Sequence, residues 1–236
     1  MSYTFLHFDD SESLADAAAH RWHEALVQHD RQNPFTVALS GGRTPKALYK
    51  AFAGRAEGVV QLDNIHFFWG DERVVPPTDE QSNYKLAAEP LFLALKIPES
   101  QIHRIQTEQD ETCAVQQAES EICRVAELDS SGQPVLDLVF LGMGEDGHVA
   151  SLFPGDQEAI ESQAVYRAVT GPKPPPRRIT LGYYALAAAR EVWVLVSGEG
   201  KKKALKNSLA GDGITPLARV LQSRKNTEIF TDFVLE

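Results

Sequence analysis

The chain has 236 residues, 43% of them hydrophobic, and 23 basic against 33 acidic side chains give it a formal charge of −10. That length suffices for a sizeable core in one large domain or two small ones. The acidic balance speaks against a general nucleic-acid binder, which needs a basic surface to offset the phosphate backbone, but it leaves room for a local basic pocket that takes a small anion.

The opening residues MSYTFLHFDDSESLADAAAH have acids where a secretory signal has a basic start and an unbroken apolar stretch. No segment has the apolar length to cross a bilayer, so a cytoplasmic location is expected. A short strand at about Tyr3–Phe8 leads into a helix in SESLADAAAHRWHEALVQHD. There Leu14, Ala18, Trp22 and Leu26 recur at helical spacing, with Ser11 or Ser13 as the cap. PFTVALSGGRTPKALYKAF runs from an apolar strand through two glycines into a helix that Thr44 can cap and Pro45 can begin. NIHFFWG is the next strand, NYKLAAEPLFLAL is mostly helical despite Pro90, IHRI is a short strand and TCAVQQAESEICRVAEL is a helix. Cys113 and Cys123 on that helix are too few and isolated for a disulfide scaffold or a zinc site and read as small apolar fillers.

PVLDLVFLGMG is the most apolar strand candidate, as expected of a central strand buried on both faces. QAVYRAVTGPKPPPRRITLG is less regular, because its prolines exclude helix and limit strand pairing. YYALAAAR, EVWVLVSG, KKKALKNSLAG and TEIFTDF then restore the helix and strand alternation. The pattern predicts an α/β fold, Rossmann-like, with a mostly parallel sheet covered by helices on both faces and active-site loops at the strand carboxyl ends. With no internal repeat and no flexible linker, residues 1–236 are expected to form a single domain.

Strand carboxyl ends in such sheets collect binding residues, and several turns here are chemically rich. LSGGRTPKALY places Ser40, Gly41 and Gly42 where free N–H groups at a helix start can hold an anion such as phosphate, although a plain strand-to-helix turn has the same composition. It is neither GxGxxG nor a Walker loop, since Lys46 lacks the GK[ST] context. FFWGDERVVPPTDEQSNY supplies Asp71, Glu72 and Arg73: arginine can bind phosphate through paired hydrogen bonds and an acid can orient it, or the three form a solvated salt-bridge loop. Asn83 and Tyr84 fit a helix start as well as a ligand contact. Arg177 and Arg178 follow three prolines, and Lys201, Lys202 and Lys203 open a helix, where positive charge is unfavourable unless an anion or nearby acids compensate it.

LGMGEDGHVASLFPG holds His148, able to exchange protons near neutral pH, beside Asp146 and Glu145. The histidine can equally be a structural hydrogen-bonding group, and the acids can orient it, contact a sugar hydroxyl or cap the turn. No HExxH, cysteine cluster or spaced histidine pair points to a metal, and Ser151 lacks the GxSxG frame of a nucleophile elbow.

Taken together, LSGGRTPKALY, FFWGDERVVPPTDEQSNYKLA, LGMGEDGHVASLFPG, PKPPPRRITLG and VSGEGKKKAL resemble, in unchanged order, the 6-phosphogluconolactonase family, within the broader group that also contains glucosamine-6-phosphate isomerases. The segment after DGH separates the two branches. ASLFPG is the lactonase continuation, whereas the isomerases proceed toward A-F-N-E-P, and their Asp pair for ring opening has no counterpart in WGDERVV.

The resemblance implies hydrolysis of 6-phospho-D-glucono-1,5-lactone to 6-phosphogluconate without metal, nucleotide or covalent nucleophile. His148 corresponds to the proton acceptor for the attacking water, with Asp146 as its candidate partner. Arg73, Arg178 and Lys201 correspond to basic positions around the substrate and its phosphate, Gly41 and Gly42 to the backbone turn; Arg177 is the weaker match. Ser40, Lys46 and Asp71 complete the candidate substrate contacts. The implied partner is a small phosphorylated lactone, not nucleic acid or membrane, and the oligomeric state stays open, a monomer included. The alternatives are a glucosamine-6-phosphate isomerase or deaminase, or a non-catalytic phosphosugar-binding protein.

Overall fold

The computed structural model describes residues 3–30, 32–56, 62–211 and 214–235. The main sheet has six parallel strands in the order β1-β11-β10-β7-β2-β3, formed by β1 (Tyr3–His7), β2 (Phe35–Leu39), β3 (Ile65–Trp69), β7 (Leu138–Gly142), β10 (Glu191–Val196) and β11 (Thr227–Thr231). Every residue of β2 is buried, as are the first four of β7, so helices cover both faces there, which is why these segments read as unbroken apolar runs. α1 (Ser11–Gln28) packs on α2 (Arg43–Ala56), while α8 (Pro216–Ser223) packs on α6 (Tyr183–Ala188) and α7 (Lys202–Leu209). Trp22 of α1 stacks on Phe52 of α2 at 3.8 Å between ring centroids and meets Phe140 of β7 edge-on at 5.0 Å, seating both helices on the middle of the sheet.

The strand order reverses between β2 and β7. From β2 the chain runs outward to β3, then crosses back to place β7, β10 and β11 on the other side. The loops leaving β2 and β7 therefore diverge and open a crevice at the strand carboxyl ends, the usual ligand position in such sheets.

A second sheet lies outside the expectation of one mostly parallel layer. β4 (Asp71–Arg73), β9 (Arg177–Leu181) and β8 (Tyr166–Thr170) form an antiparallel group in the order β4-β9-β8. The prolines at 172 and 174–176 fall in the turn between β8 and β9 and remove no ladder donor from either strand, so the irregular segment is a hairpin. β5 (Glu127–Leu128) and β6 (Pro134–Val135) make a separate small ribbon.

Several local expectations change. Asp10, not Ser11 or Ser13, caps α1: its carboxylate accepts from the N–H groups of Glu12 and Ser13, and Ser13 accepts from Asp10 N–H. α2 begins at Arg43, and Gly42 supplies the first carbonyl of its ladder, to Lys46 N–H, so Thr44 and Pro45 lie inside the first turn. Ser82 caps α3 (Asn83–Ala87), and Pro90 is absorbed by a wide π-type turn at Ala88–Leu93. IHRI contributes only a bridge from Ile102 to Phe67, where His103 N–H closes on the edge of β3. Along α4 (Glu111–Val125) the buried positions belong to Ala114 and Ile122; Cys113 is exposed and Cys123 half-buried, so Cys113 fills no core space.

Candidate active site

A cavity of ≈1130 Å³ occupies the crevice, with Gly42 and Arg43 after β2, His148 after β7, Lys201 after β10, and Arg73 and Arg178 from the antiparallel sheet on its wall. The β2 exit is fixed from below. Tyr49 of α2 accepts from Ser40 N–H at 2.9 Å and donates to Ser40 carbonyl at 2.7 Å, and burial pushes its hydroxyl far up, so it stays neutral. Ser40 Oγ accepts from Gly142 N–H at 3.2 Å, so this hydroxyl ties β2 to β7. Gly41 is glycine for a steric reason, since a Cβ there would lie 1.9 Å from Asn83 Oδ1. Gly42 has φ +107°, a conformation glycine adopts without strain, and it feeds α2 with its first-turn N–H groups at the cavity.

β4 and β9 set two arginines directly opposite each other, Arg73 against Arg178. Such like-charge pairing is unfavourable unless something negative lies beside it. Asp71 is 4.0 Å from Arg73 Nε, and both its carboxylate oxygens are already engaged, by Ser151 Oγ at 2.6 Å and Asn83 Nδ2 at 3.2 Å. Asp71 is thus a buried holder of neighbouring groups. Arg73 Nε is a buried donor with no hydrogen-bond partner among the described residues, and Arg73 Nη1 donates to Gln81 carbonyl. Burial, with Arg73 adding to it, pulls the Arg178 pKa down while Asp71 opposes the shift. Two cations facing one carboxylate leave positive charge for an anion to meet.

Glu72 points away and builds local structure. It accepts from Arg73 N–H, Asn83 N–H, Tyr84 N–H and Ser82 Oγ, and burial raises its pKa in spite of those donors. Lys201 lines the cavity near Arg43; burial first, then Arg43, lowers its pKa, while Asp232 and Glu145 work the other way.

His148 Nδ1 is 2.6 Å from Asp146 Oδ1, which also accepts from His148 N–H at 3.2 Å. Burial works against the Asp146 carboxylate, but these hydrogen bonds outweigh it and hold its pKa below the ordinary value. A proton on Nδ1, facing Asp146, leaves the Nε2 lone pair as the basic position. Gly144 lies directly beneath the ring: a Cβ there would be 2.1 Å from His148 Nδ1. Gly147 turns the loop at φ +81° and its carbonyl accepts from Leu217 N–H of α8.

Most of the sequence-derived set thus meets at one crevice. Lys46 is exposed on the outside of α2 and takes no part in the cavity wall, because the helix begins at Arg43 and carries Arg43, not Lys46, to the glycine turn. Arg177 alternates away from Arg178 along β9 and pairs with Glu111 at 2.8 Å. Arg43 went unrecognised, although its place directly after two glycines at a helix start was a readable signal. Among the described residues, no group of three or more His, Cys, Asp or Glu side chains is placed to hold a metal ion.

The molecule is thus an open α/β sheet with a cavity at its reversal point, lined by His148 and by Arg43, Arg73, Arg178 and Lys201. Residues 9–230 match the family described as glucosamine-6-phosphate isomerases/6-phosphogluconolactonase. The chain is 37% identical over 235 residues to the probable 6-phosphogluconolactonase 3, chloroplastic, of Oryza sativa, covering 94% of this chain and 70% of that one. It is 34% identical over 234 residues to the 6-phosphogluconolactonase of Mycobacterium tuberculosis, covering 96% and 94%. The solved 6-phosphogluconolactonase of Trypanosoma brucei superposes with a TM-score of 0.86 at 28% identity, over 98% of this chain and 96% of the other. The chain belongs to the 6-phosphogluconolactonase family, within the wider glucosamine-6-phosphate isomerase group.

Proposed function

We propose that this chain hydrolyses 6-phospho-D-glucono-1,5-lactone to 6-phosphogluconate. The observation that carries the reading is His148, paired with Asp146 behind it, on the wall of the same cavity as Arg43, Arg73, Arg178 and Lys201. The phosphate sits at Gly42, Arg43 and Lys201, where the α2 N–H groups and two cations converge. The lactone then extends toward His148, with Arg73 and Arg178 on the flanking wall.

His148, held by Asp146 at Nδ1, takes a proton at Nε2 from water as that water attacks the planar carbonyl carbon. The tetrahedral oxyanion is stabilised by the positive charge that Arg73 and Arg178 hold in excess of Asp71. When the ring C–O bond breaks, the imidazolium returns the proton to the departing ring oxygen, leaving a hydroxyl and a carboxylic acid that releases its proton to solvent. Phosphate binding is spent on holding the carbonyl against water and base.

A continuous acid-release assay on freshly made lactone tests this, with glucosamine-6-phosphate tried in parallel. The wild-type protein is expected to exceed the spontaneous rate on the lactone and to leave the amino sugar unchanged. His148→Ala is expected to lose turnover while still binding 6-phosphogluconate. A folded His148→Ala protein with wild-type turnover would refute the assignment of the base, and tight binding without any wild-type turnover would select a phosphosugar-binding protein.

A further inference from the structure

The SLFPG segment after the histidine carries geometry that the mechanism above does not use. Ser151 is fully buried, donating through Oγ to Asp71 and through N–H to Thr180 Oγ1, so the segment is riveted to the antiparallel sheet. Two residues on, the Phe153 ring lies 5.1 Å from the His148 ring, inclined at 48°. The Arg178 guanidinium carbon lies 5.7 Å from the centroid of the same ring, within cation–π range. Behind the ring stands Gly171, where a Cβ would be 2.8 Å from Phe153 Cζ and 3.2 Å from Arg178 Nε. Arg178 is held from that side by the carbonyls of Pro175 at 3.1 Å and Lys173 at 3.4 Å.

The geometry points to Phe153 as a positioning residue, a flat spacer wedged between the 171–176 loop and His148 that sets the imidazole and the Arg178 guanidinium in fixed relation across the reacting carbon. It touches no reacting atom and acts through His148 and Arg178, so it rests on the lactonase reading. Asp146 restrains the imidazole through Nδ1 only, so rotation about Cβ–Cγ is limited by that one hydrogen bond and by what packs on the ring. The Phe153 face limits that rotation further. A branched aliphatic side chain would fill similar volume without offering a plane to either neighbour. Gly171 is buried, and its missing side chain is the space the ring tip occupies.

Two variants separate positioning from bulk. Phe153→Leu removes the plane, whereas Gly171→Ala keeps the aromatic ring and pushes its tip toward His148. Both are expected to lower kcat about tenfold or more, as a displacement approaching an ångström does. KM for the phosphorylated lactone should change less than about threefold, because phosphate is held elsewhere. In the free protein, long-range proton–nitrogen spectra should place the His148 ring in one tautomer in the wild type, with both ring nitrogens moving toward averaged shifts in each variant. Wild-type kcat together with unchanged ring-nitrogen shifts in folded Phe153→Leu would overturn the inference, as would a loss that appears only in KM. A wild-type protein that releases no acid would sink the lactonase reading instead, and the ring-nitrogen spectra would still decide whether Phe153 orients His148.

Discussion

Gly144→Ala is the sharpest test of the site geometry, because it adds a methyl group to a residue with no chemistry of its own. The new Cβ would lie 2.1 Å from His148 Nδ1, 2.2 Å from His148 Cε1 and 2.7 Å from Asp146 Oδ1. Non-bonded carbon and nitrogen atoms rest at about 3.5 Å, so the ring must retreat by roughly 1 Å or more. That displacement breaks the 2.6 Å contact between His148 and Asp146. A misplacement of about 1 Å costs on the order of 100-fold in rate, or about 2.7 kcal/mol of transition-state stabilisation. Gly144 is not among the glycines with positive φ, so alanine meets no backbone strain, and the stability cost is confined to the crowding, about 1–3 kcal/mol. The measurement pairs kcat from acid release with a thermal melt. A folded Gly144→Ala enzyme at wild-type kcat would refute the claim that His148 must stand where Gly144 lets it stand.

Arg43→Ala and Lys201→Ala are each expected to raise KM for the phosphorylated lactone about tenfold or more, as loss of a charge-assisted contact does, while kinetics on unphosphorylated gluconolactone barely change; equal losses on both substrates would count against a phosphate clamp. Arg224 is buried and donates to the carbonyls of Leu186, Ala189 and Asn226, with burial lowering its pKa to about 10. Arg224→Met strands those acceptors and should cost about 2–4 kcal/mol in urea unfolding without altering kcat. His66 Nδ1 lies 2.8 Å from His103 Nε2, with Glu121 and Arg124 of α4 beside them; burial, then His66, lowers the His103 pKa from 6.5 to about 4. The unfolded chain therefore binds the proton first, and stability should fall as pH drops from about 6.5 toward 4, by up to about 1 kcal/mol per pH unit, a slope that His103→Asn should flatten in urea titrations.

The parallel sheet was legible because β2, β7 and β10 are largely apolar and β2 and β10 lead directly into helical segments, a pattern set by local burial. The antiparallel sheet was not, because prolines disguise the β8–β9 hairpin and the β4–β9 pairing joins segments about a hundred residues apart: Arg73 meets Arg178 through a register no local periodicity encodes. The glycine turns mark the site, but the residue after them that reaches the cavity is Arg43, because α2 begins there, earlier than the Thr-Pro pair suggests, and Lys46 is left exposed. Asp71 lines the cavity beside Arg73, as the sequence suggests, and it also holds the surrounding segments together. Its hydrogen-bond partners Ser151 and Asn83 lie in other segments, so that second role is visible only in the fold.

Those partners connect features that otherwise look separate. Asn83 occupies the space that Gly41 leaves open and donates to Asp71; Asp71 accepts from Ser151; the ring of Phe153, two residues further, lies against His148; and His148 occupies the space above Gly144. The chain of contacts runs from the turn after β2 to the turn after β7, the adjacent strands between which the sheet order reverses. At both ends a glycine is required because a side chain fills the place of its Cβ, that of Asn83 from α3 at Gly41 and that of His148 from the same turn at Gly144. The crevice walls are thereby fixed by close packing, which transmits small displacements instead of absorbing them. A methyl group at Gly41 should accordingly disturb Asp71, and with it the balance of charge between Arg73 and Arg178, before it disturbs the β2 exit, which Tyr49 and Ser40 hold independently.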